Sequence, residues 1–383
     1  MAAEDGGKGR RSTGRKDSRG ESPVRTSALR RRKERPPKGE APRIRVPVAT
    51  IAFPPQSHLC LEREVDDGER VRVLVDTDLD GLPPPRFPEA EPIRLTGRQV
   101  EKKRVQREAE GVVADGARVR FLPHSAKRPG LPLPDDDKDR DLGGTIFGSD
   151  DRYLFFDRSF PWRTTGQIRT AGGRCSGTTI GPRLVLTASH CVNWDGNGGA
   201  GWISFSPGYY DGDRPWGEIW ATHVIYWNQA PGSLTDQETA FDYVVLVMED
   251  RIGDIVGYPG YRTYNNGWNG GSYWQYTGYA GELASGERPA FQNDGVISSA
   301  QSQQLSGQDG LVLGHFNEFT PGQSGGAAWG WWASEPWPRV VGIGSTIGST
   351  AVQTPTGSTT GDNEYGGGVA LSVLIGWARA NFP

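Results

Sequence analysis

The sequence predicts an all-β fold, a barrel or a sandwich, in the C-terminal three-fifths of the chain. Three observations carry this. Glycine and proline supply 54 and 28 of the 383 residues; that is below the low-complexity range and has no collagen period, and a helical bundle would tolerate far fewer glycines. From residue 145 onward, short β-rich runs alternate with turn clusters: RLVLTAS (183–189), THVIYW (222–227), YVVLVM (243–248), GLVLG (310–314) and RVVGIGS (339–345). No apolar run reaches the length of a membrane-spanning helix; VVLVM (244–248) and ALSVLIGWA (370–378) come closest, so membrane insertion is not expected.

Taken in order, the elements fall into three regions. Residues 1–45 hold 15 Lys/Arg against 6 Asp/Glu, with RRRK at 30–33. Such a segment cannot bury enough apolar area to offset chain entropy. It reads as a basic disordered tail, solvated rather than bound to nucleic acid. Residues 46–144 read as a prosegment or small accessory domain plus linker. VRVLV (71–75) and ARVRF (117–121) are strand-like, and EKKRVQREAE (101–110) reads as one short exposed helix. PGLPLPDDDKDRDLGG (129–144) is the linker by composition, and its acidic run lacks the alternating ligands and turn glycine of a calcium loop.

All 13 Trp and all 12 Tyr lie after residue 144. Residues 1–144 carry 31 Lys/Arg against 25 Asp/Glu, and the rest of the chain 12 against 21. A boundary therefore falls at Gly143-Gly144, and residues 145–383 form the main domain. Its aromatic stretch GWNGGSYWQYTGY (267–279) is expected in barrel-core and loop packing, with a sugar-stacking surface as the alternative. At its end, Leu371, Leu374, Ile375 and Ala378 recur at helical spacing, so a short amphipathic helix closes the chain.

Three cysteines are too few for a disulfide framework. Cys175 and Cys191 stand 16 apart in the aromatic part, and Cys60 is alone in the charged part. MAAEDGGKGRRSTGRKDSRG has no apolar core of the secretory kind. Three readings stay open: export by another route, a different translation start, or cysteines that remain reduced.

Three segments carry chemistry. CSGTTIGPRLVLTASHCV (175–192) brings His190 to the end of a strand, TAFDYVVLVM (239–248) sets Asp242 at the mouth of another, and TPGQSGGAAW (320–329) places Ser324 in a Gly-rich turn. A serine hydroxyl needs an adjacent base. Histidine can take that proton and return it, and a buried carboxylate fixes its tautomer. Gly322 lets the backbone turn so that its N–H and that of Ser324 converge as an oxyanion hole. GQSGG also satisfies the G-x-S-x-G elbow, but that arrangement needs a histidine after the serine. The five histidines, 58, 124, 190, 223 and 315, all precede Ser324; His223 and His315 read as ordinary surface or core residues.

CSGTTIGPRLVLTASHC resembles the histidine segment of chymotrypsin-fold, trypsin-like serine proteases, GQSGG their nucleophile loop and FDYVVL their aspartate segment. TIFGSDDR (145–152) resembles the mature start of the bacterial glutamyl-endopeptidase-like branch. The resemblance covers 145–383. It implies a double six-stranded antiparallel β-barrel with the short C-terminal helix, and a secreted endopeptidase made as a proenzyme. That enzyme would be a monomer acting on polypeptide substrates through an acyl-enzyme, without cofactor or metal. It implies catalytic roles for His190, Asp242 and Ser324, oxyanion donors at Gly322 and Ser324, a supporting hydroxyl from Ser345, and a disulfide between Cys175 and Cys191, leaving Cys60 unpaired.

Two positions depart from the pattern. Gln323 stands where trypsin-like animal enzymes place an Asp that pairs with a freed N-terminal amine. Gly344 stands where the glutamate-reading branch has His. Glu318, six residues before the nucleophile, holds the place that lines the pocket base in trypsin-like members. Turned inward it would select basic side chains; turned outward it would leave Phe319 to favour apolar ones. The rival to the enzyme is a non-catalytic aromatic-rich β domain that binds glycan or a protein partner.

Overall fold

A valine-rich run such as VVLVM has no polar face to offer solvent, so it is stable only where both of its faces are covered. A closed barrel packed against other elements provides that. The computed structural model describes residues 22–25, 58–64, 70–76, 87–101, 106–124, 146–147, 150–230, 234–347, 351–354, 357–360 and 362–383. The linker 129–144 and the side chain of Cys60 lie outside the described residues.

Two units are distinguished, residues 34–88 and the remainder. The first contains an antiparallel hairpin, His58–Glu64 with Arg70–Asp76. The second holds two barrels. The first barrel has strands β1 (Thr165–Thr170), β2 (Gly173–Gly181), β3 (Leu184–Thr187), β4 (Ile203–Pro207), β5 (Ile219–Tyr226) and β6 (Val244–Met248). They run in the order β6-β3-β2-β1-β4-β5, all antiparallel, and the β5–β6 pairing closes the ring.

The second barrel has β7 (Ser272–Gly278), β8 (Ala290–Leu305), β9 (Gln308–His315), β10 (Ala327–Trp331), β11 (Pro338–Ile347) and β12 (Asn363–Gly368). Their order is β10-β7-β8-β9-β12-β11, closed by β10–β11. Closure removes the unpaired edges that an open sheet would expose. The chain ends in α1 (Val369–Asn381), whose Leu371, Leu374, Ile375 and Ala378 are buried as their spacing predicts.

Most of the aromatic stretch lies inside: Trp268, Trp274, Tyr276 and Tyr279 are all at most 6% exposed, and Tyr273 is half-buried, as barrel-core and loop packing requires. Trp268, Trp274 and Tyr264 form a tilted and T-shaped cluster in the second barrel.

The region before residue 145 differs from its sequence reading. The expected helix at 101–110 is displaced: the helix is Gly97–Glu101, and Glu108–Ala109 instead pairs with Tyr261–Arg262. Residues 89–124 join the barrel unit. Glu91–Arg94 runs parallel to β5, and Leu95 is fully buried. ARVRF is reduced to a bridge between Val119 and Phe160. Polar side chains of the barrels and of α1, most of them buried, also depend on this region, because backbone carbonyls of 106–121 receive their donors. Tyr261 reaches Gln106 at 3.1 Å, Arg339 reaches Ala109 at 2.9 Å, and Arg379 reaches Glu110 at 2.8 Å. Trp162 reaches Arg120, and Gln275 reaches Phe121, both at 3.0 Å. Within the basic tail, Val24 donates its N–H to Trp331 at 2.8 Å, so this part of the tail is held on the barrel.

Candidate active site

His190, Asp242 and Ser324 sit where barrel strands end. β3 runs into a single 3-10 turn, Ser189–Cys191. Ser189 Oγ donates to Asn228 O at 2.8 Å, and the Cys175–Cys191 disulfide, with Cα atoms 6.1 Å apart, ties the turn back to β2. Asp242 follows a one-turn helix, Asp236–Ala240, inside a stretch whose sequence reads as loop. Its start is a capping box: Thr235 Oγ1 accepts the Glu238 N–H at 3.3 Å, and Glu238 Oε2 accepts the Thr235 N–H at 2.8 Å. The T-x-x-E pattern was the readable signal.

Asp242 is fully buried. Its Oδ1 accepts the backbone N–H of His190 at 2.9 Å, and its Oδ2 lies 2.6 Å from His190 Nδ1 and accepts the Ser345 hydroxyl at 2.6 Å. Burial disfavours charge on both groups, but their mutual attraction and hydrogen bond outweigh it. Asp242 is held below the usual carboxylate range and His190 above the usual imidazole value. With a carboxylate on Nδ1, the neutral ring keeps its hydrogen there and leaves Nε2 as the base.

Ser324 lies between β9 and β10 in a turn that two glycines make feasible. Gly322 has φ +94°, and a Cβ on it would sit 2.4 Å from Tyr279 O. Gly325 has φ +79°, and a Cβ there would sit 2.2 Å from Thr187 Oγ1. Among the described residues, the N–H groups of Gly322 and Ser324 have no protein acceptor. A cleft of about 380 Å³ brings together His190, Gly322, Ser324, Ser345, the disulfide, Arg174 and Leu234. Ser324 Oγ and His190 are not hydrogen-bonded to each other, as is common before substrate binds.

The other sequence candidates, Glu318, Phe319 and Gly344, do not line this cleft. Glu318 is 1% exposed, and its Oε2 accepts the Asp151 N–H at 2.9 Å, turned toward the 150–151 segment. Burial, then the nearby Asp151 and Asp150 carboxylates, push it up to about 9, so it stands protonated at neutral pH. Phe319 is buried against Tyr276, and a Cβ on Gly344 would meet the Tyr276 hydroxyl at 2.1 Å. His315 is buried and stacked on Tyr365 at 3.4 Å, neutral because burial lowers its pKa. His223 lies on β5, 3.7 Å from Glu91.

Sequence reasoning missed three supports of the loop that carries Ser324. Ser176 donates its hydroxyl to Gly322 O at 2.8 Å, Tyr276 donates to Gln323 O at 2.6 Å, and Arg152 reaches Gln323 Oε1 at 2.5 Å. Nothing local marks such long-range partners, although Arg152 lies in the GSDDR stretch already singled out.

The Trypsin family model matches residues 155–203, the segment that contains His190 and both disulfide cysteines. The glutamyl endopeptidase of Bacillus licheniformis is 30% identical over 163 residues, 42% of this chain and 49% of that protein. The extracellular metalloprotease of Bacillus subtilis is 31% identical over 129 residues, 32% of this chain and 40% of that protein. This chain thus spans half or less of each of these two relatives. Among solved structures, a Glu endopeptidase in complex with MPD is 22% identical with a TM-score of 0.47, over 62% of this chain and all of that one. Two closed six-stranded antiparallel barrels form the core of the fold, and over these stretches of sequence the chain is similar to the Trypsin family and to a glutamyl endopeptidase.

Proposed function

We propose that the chain is a serine endopeptidase in which His190 Nε2 takes the proton of Ser324 Oγ as the hydroxyl attacks a peptide carbonyl. Asp242 holds the ring and stabilises the imidazolium. The N–H groups of Gly322 and Ser324 receive the oxyanion, and His190 returns the proton to the leaving amine. The acyl-enzyme on Ser324 is then hydrolysed by the same steps with water. The observation that carries this reading is the buried Asp242 carboxylate 2.6 Å from His190 Nδ1, at a cleft that also holds Ser324 and Gly322. Ser345 fixes the carboxylate from the second barrel.

The enzyme acts outside the reducing cytoplasm, where a Cys175–Cys191 disulfide persists. It is made as a proenzyme and cut near Gly144-Thr145. N-terminal sequencing of active protein checks that cut. Fluorophosphonate labelling tests the function: one equivalent should attach at Ser324, with none on Ser324→Ala. A chain that neither labels nor cleaves a peptide library is a binding domain instead.

A further inference from the structure

A cation is buried behind the loop that carries Ser324. Arg152 is 1% exposed, and its five N–H donors are all spent. Nε and Nη2 hold the two oxygens of Asp150 at 3.0 and 2.7 Å, and Nη2 also holds Glu282 at 2.6 Å. Nη1 holds Thr320 Oγ1 at 2.7 Å and Gln323 Oε1 at 2.5 Å. The guanidinium is a rigid fork, so fixing one side of it on two carboxylates fixes the direction of the other. That other side lands on the nucleophile loop. Gln323, the residue it grips, separates Gly322 from Ser324.

The peptide planes around Gln323 are held by their carbonyls. A trans peptide is planar, and its N–H points opposite its C=O. Pro321 O accepts the Gly281 N–H at 2.8 Å, which orients the N–H of Gly322. Gln323 O accepts the Tyr276 hydroxyl at 2.6 Å and the Gly326 N–H at 2.9 Å, which orients the N–H of Ser324. Gln323 Oε1 also accepts the Thr320 N–H at 3.2 Å, closing the loop on itself around the Arg152 contact.

We infer that Arg152 is a positioning residue for the oxyanion hole, acting through Gln323 and Thr320 to hold the two peptide planes whose N–H groups face the cleft. The inference rests on the endopeptidase reading. It also accounts for Gln323. The guanidinium already faces two carboxylates, so a neutral amide completes its coordination where a third carboxylate would be surplus. Because the organising charge belongs to a side chain, the loop is ordered without a freed N-terminal amine.

The test uses the full chain, with Arg152→Met and Gln323→Met. The second variant leaves the Asp150 and Glu282 pairs intact, so it reports even where stranding those carboxylates unfolds the first. A peptide substrate found by library profiling, its cleaved product and a peptide boronic acid are the probes. Gln323→Met, folded by circular dichroism, should lose about 10²–10³ in kcat, the scale of one oxyanion donor, with KM changed by less than about twofold. Boronate affinity should fall in step with kcat while product affinity holds, and Arg152→Lys should recover part of the loss. Wild-type kcat and boronate affinity in Gln323→Met would overturn the inference, as would an equal loss of boronate and product affinity. A wild type that neither labels nor hydrolyses overturns the endopeptidase reading instead, and the inference falls with it.

Discussion

Ser345, on β11 of the second barrel, donates its hydroxyl across 2.6 Å to Oδ2 of Asp242, a residue that enters β6 of the first. The same oxygen faces His190 Nδ1. The orientation of the His190 ring is therefore set by both barrels, and a change confined to the second should be felt at the first. Ser345→Ala removes one bond to a charged acceptor, a loss of roughly 1.5–3 kcal/mol if all of it bore on the transition state. A decrease of about tenfold in kcat/KM is expected, with fluorophosphonate labelling slowed in parallel; unchanged rates in both assays would separate Ser345 from the mechanism.

Ser324→Ala and His190→Ala should each bring hydrolysis close to background without loss of fold, and the double variant should be no worse, since the groups act as one unit. Full activity in Ser324→Ala would exclude the proposed mechanism. Asp242→Asn should cost about 10⁴ by leaving the imidazole in the wrong tautomer.

The pH profile follows from the same pair. Burial alone would lower the His190 pKa, but Asp242 raises it above 6.5. The base works only when unprotonated, so kcat/KM of wild type should rise along an acid limb whose midpoint lies above pH 6.5. In Asp242→Asn the residual activity should show that limb moved to lower pH, because burial then acts unopposed. A midpoint that does not move would mean the limb belongs to another group.

Glu318 gives a prediction of opposite character. Its folded pKa of about 9 lies above its ordinary 4.5. Between those values the native state holds a proton that the unfolded chain has released, so stability falls as pH rises through that window. Gln cannot titrate. The stability of Glu318→Gln relative to wild type should therefore climb from about pH 5 to about pH 9, as read from urea midpoints, and parallel curves would refute it. The same variant should leave the cleavage profile of a peptide library unchanged, because the carboxyl faces Asp151 rather than the cleft.

The Cys175–Cys191 bond closes a loop of about 15 residues, worth roughly 3 kcal/mol on the chain-entropy account. Reduction, or a Cys175→Ser/Cys191→Ala double variant, should lower stability by about that amount and slow hydrolysis, since the bond anchors the turn that carries His190. Peptide mapping without reduction should recover the two cysteines joined; a free Cys175 would contradict the structure.

Much of this was legible in the sequence because it is local. Short β-rich runs between turn clusters mark the barrel strands, helical spacing marks α1, and a candidate residue type at the end of one strand and at the mouth of another marks His190 and Asp242. The pocket residues were harder. Which way Glu318 turns depends on Asp150 and Asp151, some 167 residues earlier in the chain, and no window on either segment contains the other. Arg152 was hidden for the same reason. The helix expected at 101–110 failed differently: the charged pattern suits an exposed helix, but strand pairing with Tyr261–Arg262 overrides local preference.

The carbonyls of 106–121 give a cut near Thr145 an unusual outcome. They receive donors from Trp162, Tyr261, Gln275, Arg339 and Arg379, and losing them would strip most of these buried groups of their partners. Maturation would then nick the chain without shedding its front part. The processed protein would be a two-polypeptide particle, its smaller piece a resident subunit held by one parallel and one antiparallel strand pairing and these hydrogen bonds. Expressing the chain from Thr145 alone would remove part of the first barrel's wall, so a recombinant enzyme should be produced either whole or as both pieces refolded together.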